Sequence, residues 1–351
     1  MSLPPVLRSL LTAPGPSGYE QEAARVFADA AGEFAAVDTD AMGSTVARVA
    51  GTGEGPLLAV VGHIDEIGLL VSHIDEKGFL YFIGVGGWDP VILVGQRVEV
   101  LTREGRIPGV VGKKPIHLLK EEERKQVPKL DDLHIDIGVK DRDEARALVR
   151  TGDVAVIAGE PVELPNDRVV SRSMDNRLGA FVAYEVARLV AEAGGAPGDV
   201  AGVAAVQEEI GLFGSRTAAF GLRPDVAIAV DVTHATDAPG IDVKPIGESP
   251  LGSGPAIGRG STLHPAVYEG LVAAAEANDI PFTVAPSARF TGTDADAIAI
   301  TRAGIPTGLV SIPLRYMHSP VELVQLSDVH AVAKLIAAYA QSLEPGQTFP
   351  R

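Results

Sequence analysis

Apolar residues recur along the chain at two different spacings, and the change between them divides it into three segments. At the start, Val6, Leu7, Leu10 and Leu11 follow Pro4-Pro5 at helical spacing, and Pro14-Gly15 ends the helix they predict. Ser17-Gly-Tyr-Glu20 has the form of a capping box and predicts a second helix over about residues 20–31. Val37–Thr39 and Thr45–Val49 read as strands around the turn at Met42-Gly43. Leu57–Val61 is apolar without a break, the pattern of a strand buried on both faces of a parallel sheet.

From about Leu69 to Leu164 the strands become short, alternating and separated by turn residues. They are predicted over residues 79–85, 94–101, 106–111, 133–139 and 153–157, with one short helix near 143–149. This is the pattern of a small antiparallel β-barrel or sandwich. Because α/β sequence flanks it on both sides, residues 69–164 are expected to be an insertion into a main domain made of residues 1–68 and 165–351.

After Val169-Val170 helices and strands alternate again: a long amphipathic helix over 178–192, strand Val200–Val206, helix 215–220 and strand Val226–Val230. A helix opened by His264-Pro265 runs to about Asn278, and Thr291-Gly-Thr-Asp294 precedes a short one. Strand Thr307–Ser311 and a terminal helix over 328–342, capped by Ser327, complete the chain. The expected fold class is α/β: a three-layer α/β/α domain on a mixed, mostly parallel sheet, with the inserted β-barrel beside it.

Composition narrows the chemistry. The net charge of -16 argues against nucleic acid and anionic membrane as partners. The densest basic run, Lys120 to Lys129, is interleaved with glutamates. With no cysteine there can be no disulfide, thiolate ligand or cysteine nucleophile. A metal site would have to use His, Asp and Glu, a donor set that suits Zn, Co or Mn. No secretory signal and no run long enough to span a membrane is visible, so a soluble cytoplasmic protein is expected.

Potential ligands recur where strands end: His63 in Gly62-His-Ile-Asp-Glu66, Asp175 in Ser173-Met-Asp-Asn-Arg177, Glu209 in Gln207-Glu-Glu-Ile-Gly211, Asp231, and His318 in Tyr316-Met-His-Ser-Pro320. Each alone has a bland reading: Asp175 suits a helix N-cap, and the Glu208-Glu209 pair suits a solvated turn. In an open α/β sheet, however, the carboxyl ends of the strands share one crevice, where distant residues converge. Two histidines and three carboxylates suffice for two metals if one carboxylate bridges them, and pairs about 3.5–4 Å apart recur in hydrolases. Asp65, two residues beyond His63, is placed to accept the proton of its second ring nitrogen.

Together these motifs resemble the tetrahedral (TET) aminopeptidase family, which includes the glutamyl aminopeptidases and the cellulase-M-like proteins. The resemblance runs from Pro16-Ser-Gly18 to the final helix; Gly43-Ser44 stands where Gly-Asn is expected. It implies a metallo-aminopeptidase with two divalent ions per chain, Zn or Co, held by His63, Asp175, Glu209, Asp231 and His318. Asp175 would bridge the metals, His63 and Asp231 would serve different ones, and so would Glu209 and His318. Glu208 would be the general base and Asp65 would orient His63. The resemblance further implies a PDZ-like inserted domain used in assembly, a homododecamer built from dimers, short peptides as substrate, and a cis bond between Asp175 and Asn176.

Two other readings compete. A two-metal amidohydrolase acting on acylated amino acids would use the same cage, and a non-enzymatic scaffold or shell would need none of it. A cellulase is disfavoured, since only 5% of the chain is aromatic, with one Trp, too little for a sugar-binding groove. His73, His117, His134, His234 and His330 lack partnered spacing and read as structural or surface residues. His264, after the Gly258-Arg-Gly260 loop, is a weaker candidate to face substrate.

Overall fold

A computed structural model describes residues 1–351. Its main sheet is built around four mutually parallel strands, Val200–Ala205, Leu58–His63, Val226–His234 and Thr307–Arg315, neighbours in that order. Alternate residues of these strands enter different cores, as the twofold period of a strand requires. Leu58, Val60, Val226 and Ile228 join the large core formed with helices Pro5–Thr12, Gln21–Ala31, Met174–Glu192, Pro265–Ala277 and Leu326–Ser342. Ala59, Val61 and Ala227 face the opposite layer with Ala218, Ala219 and Ile298 of helices Phe213–Leu222 and Asp294–Ala299. The three layers are therefore those expected. No helix is long and apolar enough to cross a membrane.

Antiparallel strands extend the sheet on both sides. Thr45–Val49 and Ala36–Thr39 continue it beyond Val200–Ala205; Glu322–Gln325, Arg168–Ser171 and Val162–Leu164 continue it beyond Thr307–Arg315. Val162–Leu164, grouped with the insertion on sequence, thus pairs in the main sheet. Ala256–Gly260, Thr283–Ser287 and Glu322–Gln325 are strands without a sequence counterpart above.

The insertion is a closed six-stranded barrel. Its strands are Gly68–Ile74, Leu80–Val85, Arg97–Thr102, Gly105–Gly112, His134–Asp136 and Val154–Ile157, around a core of its own that includes Leu69, Val98 and Ile135. Besides the expected helix, Arg142–Leu148, it carries short helices at Pro90–Leu93 and Glu121–Arg124. Trp88 packs against this core and donates its indole N–H to Gly68 O at 2.8 Å.

Three predicted caps or ends differ. Ser17 does not cap a helix: its hydroxyl donates to Asp65 at 2.6 Å, and Glu20 occupies the N-cap position without a side-chain bond. The terminal helix begins at Leu326, with Gln325 rather than Ser327 as N-cap. The strand carrying Asp231 continues to His234, so Asp231 lies within it rather than at its end.

The contact that sets the site is between glycines. A Cβ on Gly62 would stand 2.1 Å from the carbonyl carbon of Gly179, and one on Gly179 would meet Asn176 and Val230. Only paired glycines let helix Met174–Glu192 lie this close to strand Leu58–His63. That approach brings Asp175, at the start of the helix, to His63, at the end of the strand.

Candidate metal centre

The predicted ligands His63, Asp175, Glu209, Asp231 and His318 come together with Glu208 at the carboxyl end of the parallel strands. Asp175 is the hub. Its Oδ1 lies 3.2 Å from His63 Nε2 and its Oδ2 lies 3.3 Å from His318 Nε2. Glu209 Oε1 lies 3.3 Å from His318 Nε2, and Asp231 Oδ1 lies 4.0 Å from His63 Nε2. By distance His63 stands with Asp231 and His318 with Glu209, and His63, Asp175 and Glu209 also present ligand atoms within 4.8 Å of one another; the resemblance implied that each pair is divided between metals. Glu208 Oε2 stands 3.7 Å from His63 Nε2, so the adjacent glutamates reach different histidines from one turn.

Local backbone explains the aim of each group. Asp175 and Asn176 are joined by a cis peptide bond, and both have non-helical dihedrals inside the helix. Asn176 then bonds outward: its amide donates to Val230 O at 2.8 Å and its carbonyl accepts from Gly179 N at 2.8 Å. This ties Asp175 to the strand that carries Asp231. Ser173, Gln207, Tyr316 and His318 all hold left-handed φ values of 56° to 61°, a conformation that costs non-glycine residues of order 1–3 kcal/mol each. Such residues persist where surrounding structure over-determines them.

Asp65 is fully buried and makes four contacts. Oδ1 faces His63 Nδ1 at 3.4 Å and accepts from Glu208 N at 3.0 Å; Oδ2 accepts from Glu209 N at 3.1 Å and from the Ser17 hydroxyl. One carboxylate thus orients the histidine and pins the backbone of the glutamate pair. Ser44, the departure from the expected Gly-Asn, is buried, and its hydroxyl accepts from Val206 N at 3.4 Å on the same turn.

The donor set fits divalent cations for a specific reason. His63 Nδ1 faces the Asp65 carboxylate and carbonyl, and His318 Nδ1 lies 2.9 Å from Gly87 O. Oxygens of these kinds only accept, so each Nδ1 carries the proton and each neutral Nε2 presents a lone pair. Carboxylate oxygens lie 3.2–3.3 Å from each Nε2, close enough for one cation to be held by both atoms. Glu209 Oε1 is buried with no hydrogen bond. No Lys or Arg lines the cleft onto which Asp175, Glu208, Glu209, Asp231 and His318 open.

Excess negative charge shows in the titration of the groups. Burial, with Asp231, Asp294 and Glu209 nearby, pushes the Glu208 carboxyl up to about 9. Burial likewise holds Glu209 and Asp231 above the carboxylate range, both reinforced by Asp175. Until a cation binds, the Asp175 and Glu209 carboxylates beside Nε2 raise the His318 imidazole to about 11, so a metal would have to displace a proton from that nitrogen. For Asp175 burial acts upward, but His318 and His63 outweigh it and hold the carboxyl low.

Several residues here had no role in the sequence reading. Glu322 is buried; Oε2 accepts from Asp175 N at 3.1 Å and Oε1 from His318 N at 2.8 Å. It fixes two candidate ligands from distant parts of the chain, and its only sequence signal is its position four residues after His318. His234, read as structural, lines the cavity, as do Thr291 and Thr293. His264 instead lines a separate cavity with Arg259 and Arg351.

Comparison with known proteins gives the chain a family. A model of the M42 glutamyl aminopeptidase family matches residues 43–335. A lysyl aminopeptidase of Pyrococcus furiosus is 36% identical over 348 residues, covering 97% of each chain. Among solved structures, an aminopeptidase of the archaeon Desulfurococcus kamchatkensis has a TM-score of 0.89 at 37% identity, covering 97% of this chain and 94% of its own. The TET1 peptidase of Pyrococcus horikoshii, which can assemble into a tetrahedron or a large octahedral shell, has a TM-score of 0.84 at 32% identity, with 96% and 99% coverage.

Proposed function

The chain belongs to the M42 glutamyl aminopeptidase family, and is thus a hydrolase that acts as an exopeptidase; from that premise we propose that it removes N-terminal residues from short peptides using two divalent ions and Glu208 as general base. The observation that carries the reading is the division of the Asp175 carboxylate between the Nε2 atoms of His63 and His318. His63, Asp231 and one Asp175 oxygen would hold one ion; His318, Glu209 and the other oxygen would hold the second. The chemistry such ions, Zn or Co, supply when bound is acidification of water toward a pKa of about 7 and polarisation of the scissile carbonyl.

The chain's own residues do the rest. Glu208 takes the proton of the attacking water and returns it to the departing amine. Asp65 keeps His63 in the ligating tautomer and holds the Glu208 backbone in place. Carboxylates along the cavity hold the free α-ammonium group of the peptide, which restricts cleavage to chain ends. An aminoacyl p-nitroanilide should therefore be hydrolysed, and its N-acetyl counterpart should be at least a hundredfold slower. Equal rates on both would instead favour a deacylase or amidohydrolase.

We also propose that the chain assembles as a closed homo-oligomer. Beside the resemblance to shell-forming peptidases, the barrel exposes Ile116, Leu118 and Val127, each more than half accessible. Twelve chains of 36.5 kDa would form a particle of about 440 kDa, and dimers would be the building unit. Light scattering of the metal-loaded protein should give that mass or a dimer; a monomer alone would refute the proposal.

A further inference from the structure

The cavity beside the candidate metal centre has a second wall that the ligands do not use. It is formed by Val232, Thr233 and His234 at the end of one strand, the loop Thr291–Thr293, and Met317. The wall lies beside the groups proposed to hold the water and the α-ammonium, where the side chain of an N-terminal residue would be placed. From it we infer that the protein takes peptides beginning with an uncharged, aliphatic residue and rejects those beginning with Asp or Glu. The inference rests on the aminopeptidase reading and adds the substrate class.

An acidic side chain needs a cation or free N–H groups when it leaves water. The wall offers no guanidinium or ammonium. Of the arginines that could have supplied one, Arg315 pairs with Asp237, Arg259 lies 5.0 Å over the Tyr268 ring in the other cavity, and Arg289, two residues before the loop, is not among the residues lining the wall. Two of the three backbone N–H groups of the loop that could cradle an anion are occupied. Thr291 N and Gly292 N both donate to the Asp296 carboxylate, at 2.7 Å and 2.8 Å. The hydroxyls of Thr291 and Thr293 bond each other at 2.8 Å, and Thr293 also accepts from Ala295 N. The next residue, Asp294, is a buried carboxyl that adds negative charge to this side. Met317 and the uncovered edge of Val232 supply the apolar surface that an aliphatic side chain would meet.

The test is a substrate pair. With the metal-loaded oligomer, kcat/KM for leucine p-nitroanilide is expected to exceed that for glutamic acid α-(p-nitroanilide) at least tenfold; a smaller ratio, or the reverse order, overturns the inference. Binding gives a readout independent of turnover: by calorimetry, leucinamide should bind at least tenfold more tightly than glutamic acid α-amide, and equal affinities would overturn the pocket assignment. If neither nitroanilide is cleaved while the two amides still differ in this way, the aminopeptidase reading fails and the pocket inference stands. His234→Arg, at the exposed end of the wall, should raise the Glu-to-Leu ratio of kcat/KM at least tenfold; an unchanged ratio would place the side-chain pocket elsewhere.

Discussion

Glu208→Gln is expected to lower kcat by at least the roughly 10²–10⁴-fold that a general base contributes, with metal content unchanged. Glutamine keeps the size and hydrogen bonding of the side chain but cannot take the proton of the water. The turn should survive, because Asp65 holds it through the backbone N–H groups of residues 208 and 209 rather than through their side chains. Glu209→Gln should behave differently. It faces His318 Nε2 at 3.3 Å, so its replacement should weaken metal binding, with partial recovery of activity in excess Zn or Co. Metal content measured beside kcat for both variants decides the matter. Loss of metal from the Glu208 variant and retention by the Glu209 variant would reverse the two roles. Near-wild-type activity of Glu208→Gln would remove it as the base.

Removing divalent ions should abolish activity altogether, and adding Zn or Co should restore it. The same treatment should lower the thermal midpoint. The cluster places Asp175, Glu208, Glu209 and Asp231 around two histidines with no Lys or Arg in the cavity wall, so bound cations relieve repulsion in the folded state. A ligand present at a hundred times its Kd stabilises by about 2.7 kcal/mol. Dialysis against chelator, followed by activity and melting measurements, tests both effects. Full activity in chelator, with no metal found, would leave the two-metal mechanism without support.

Much of this site was legible in the sequence because of how a parallel sheet works. Strands buried on both faces must be apolar without interruption, so polar residues where they end stand out: His63 after Leu58–Gly62, and the glutamate pair after Val200–Val206. The same rule made the change to short alternating strands visible, and with it the inserted barrel. What sequence spacing could not carry were groups whose role depends on a distant partner. Glu322 looks like a residue near a strand start, yet its two oxygens bind N–H groups 147 and 4 residues away. Ser17 has the spacing of a capping box, but its hydroxyl turns to Asp65, where a buried carboxylate needs donors more than an exposed helix end does. His234 sits beyond the expected end of its strand, because pairing with Thr307–Arg315 carries the strand three residues past Asp231. Which oxygen of Asp175 meets which histidine is likewise beyond what spacing can carry, because it depends on how helix Met174–Glu192 lies against strand Leu58–His63.

The central claim is that Asp175 bridges two cations, one with His63 and Asp231, the other with Glu209 and His318. Anomalous diffraction from crystals of the Zn- or Co-loaded protein tests it most directly. Two peaks per chain about 3.5–4 Å apart, one on either side of the Asp175 carboxylate, are the expected result. A single peak, or peaks away from Asp175, would contradict it.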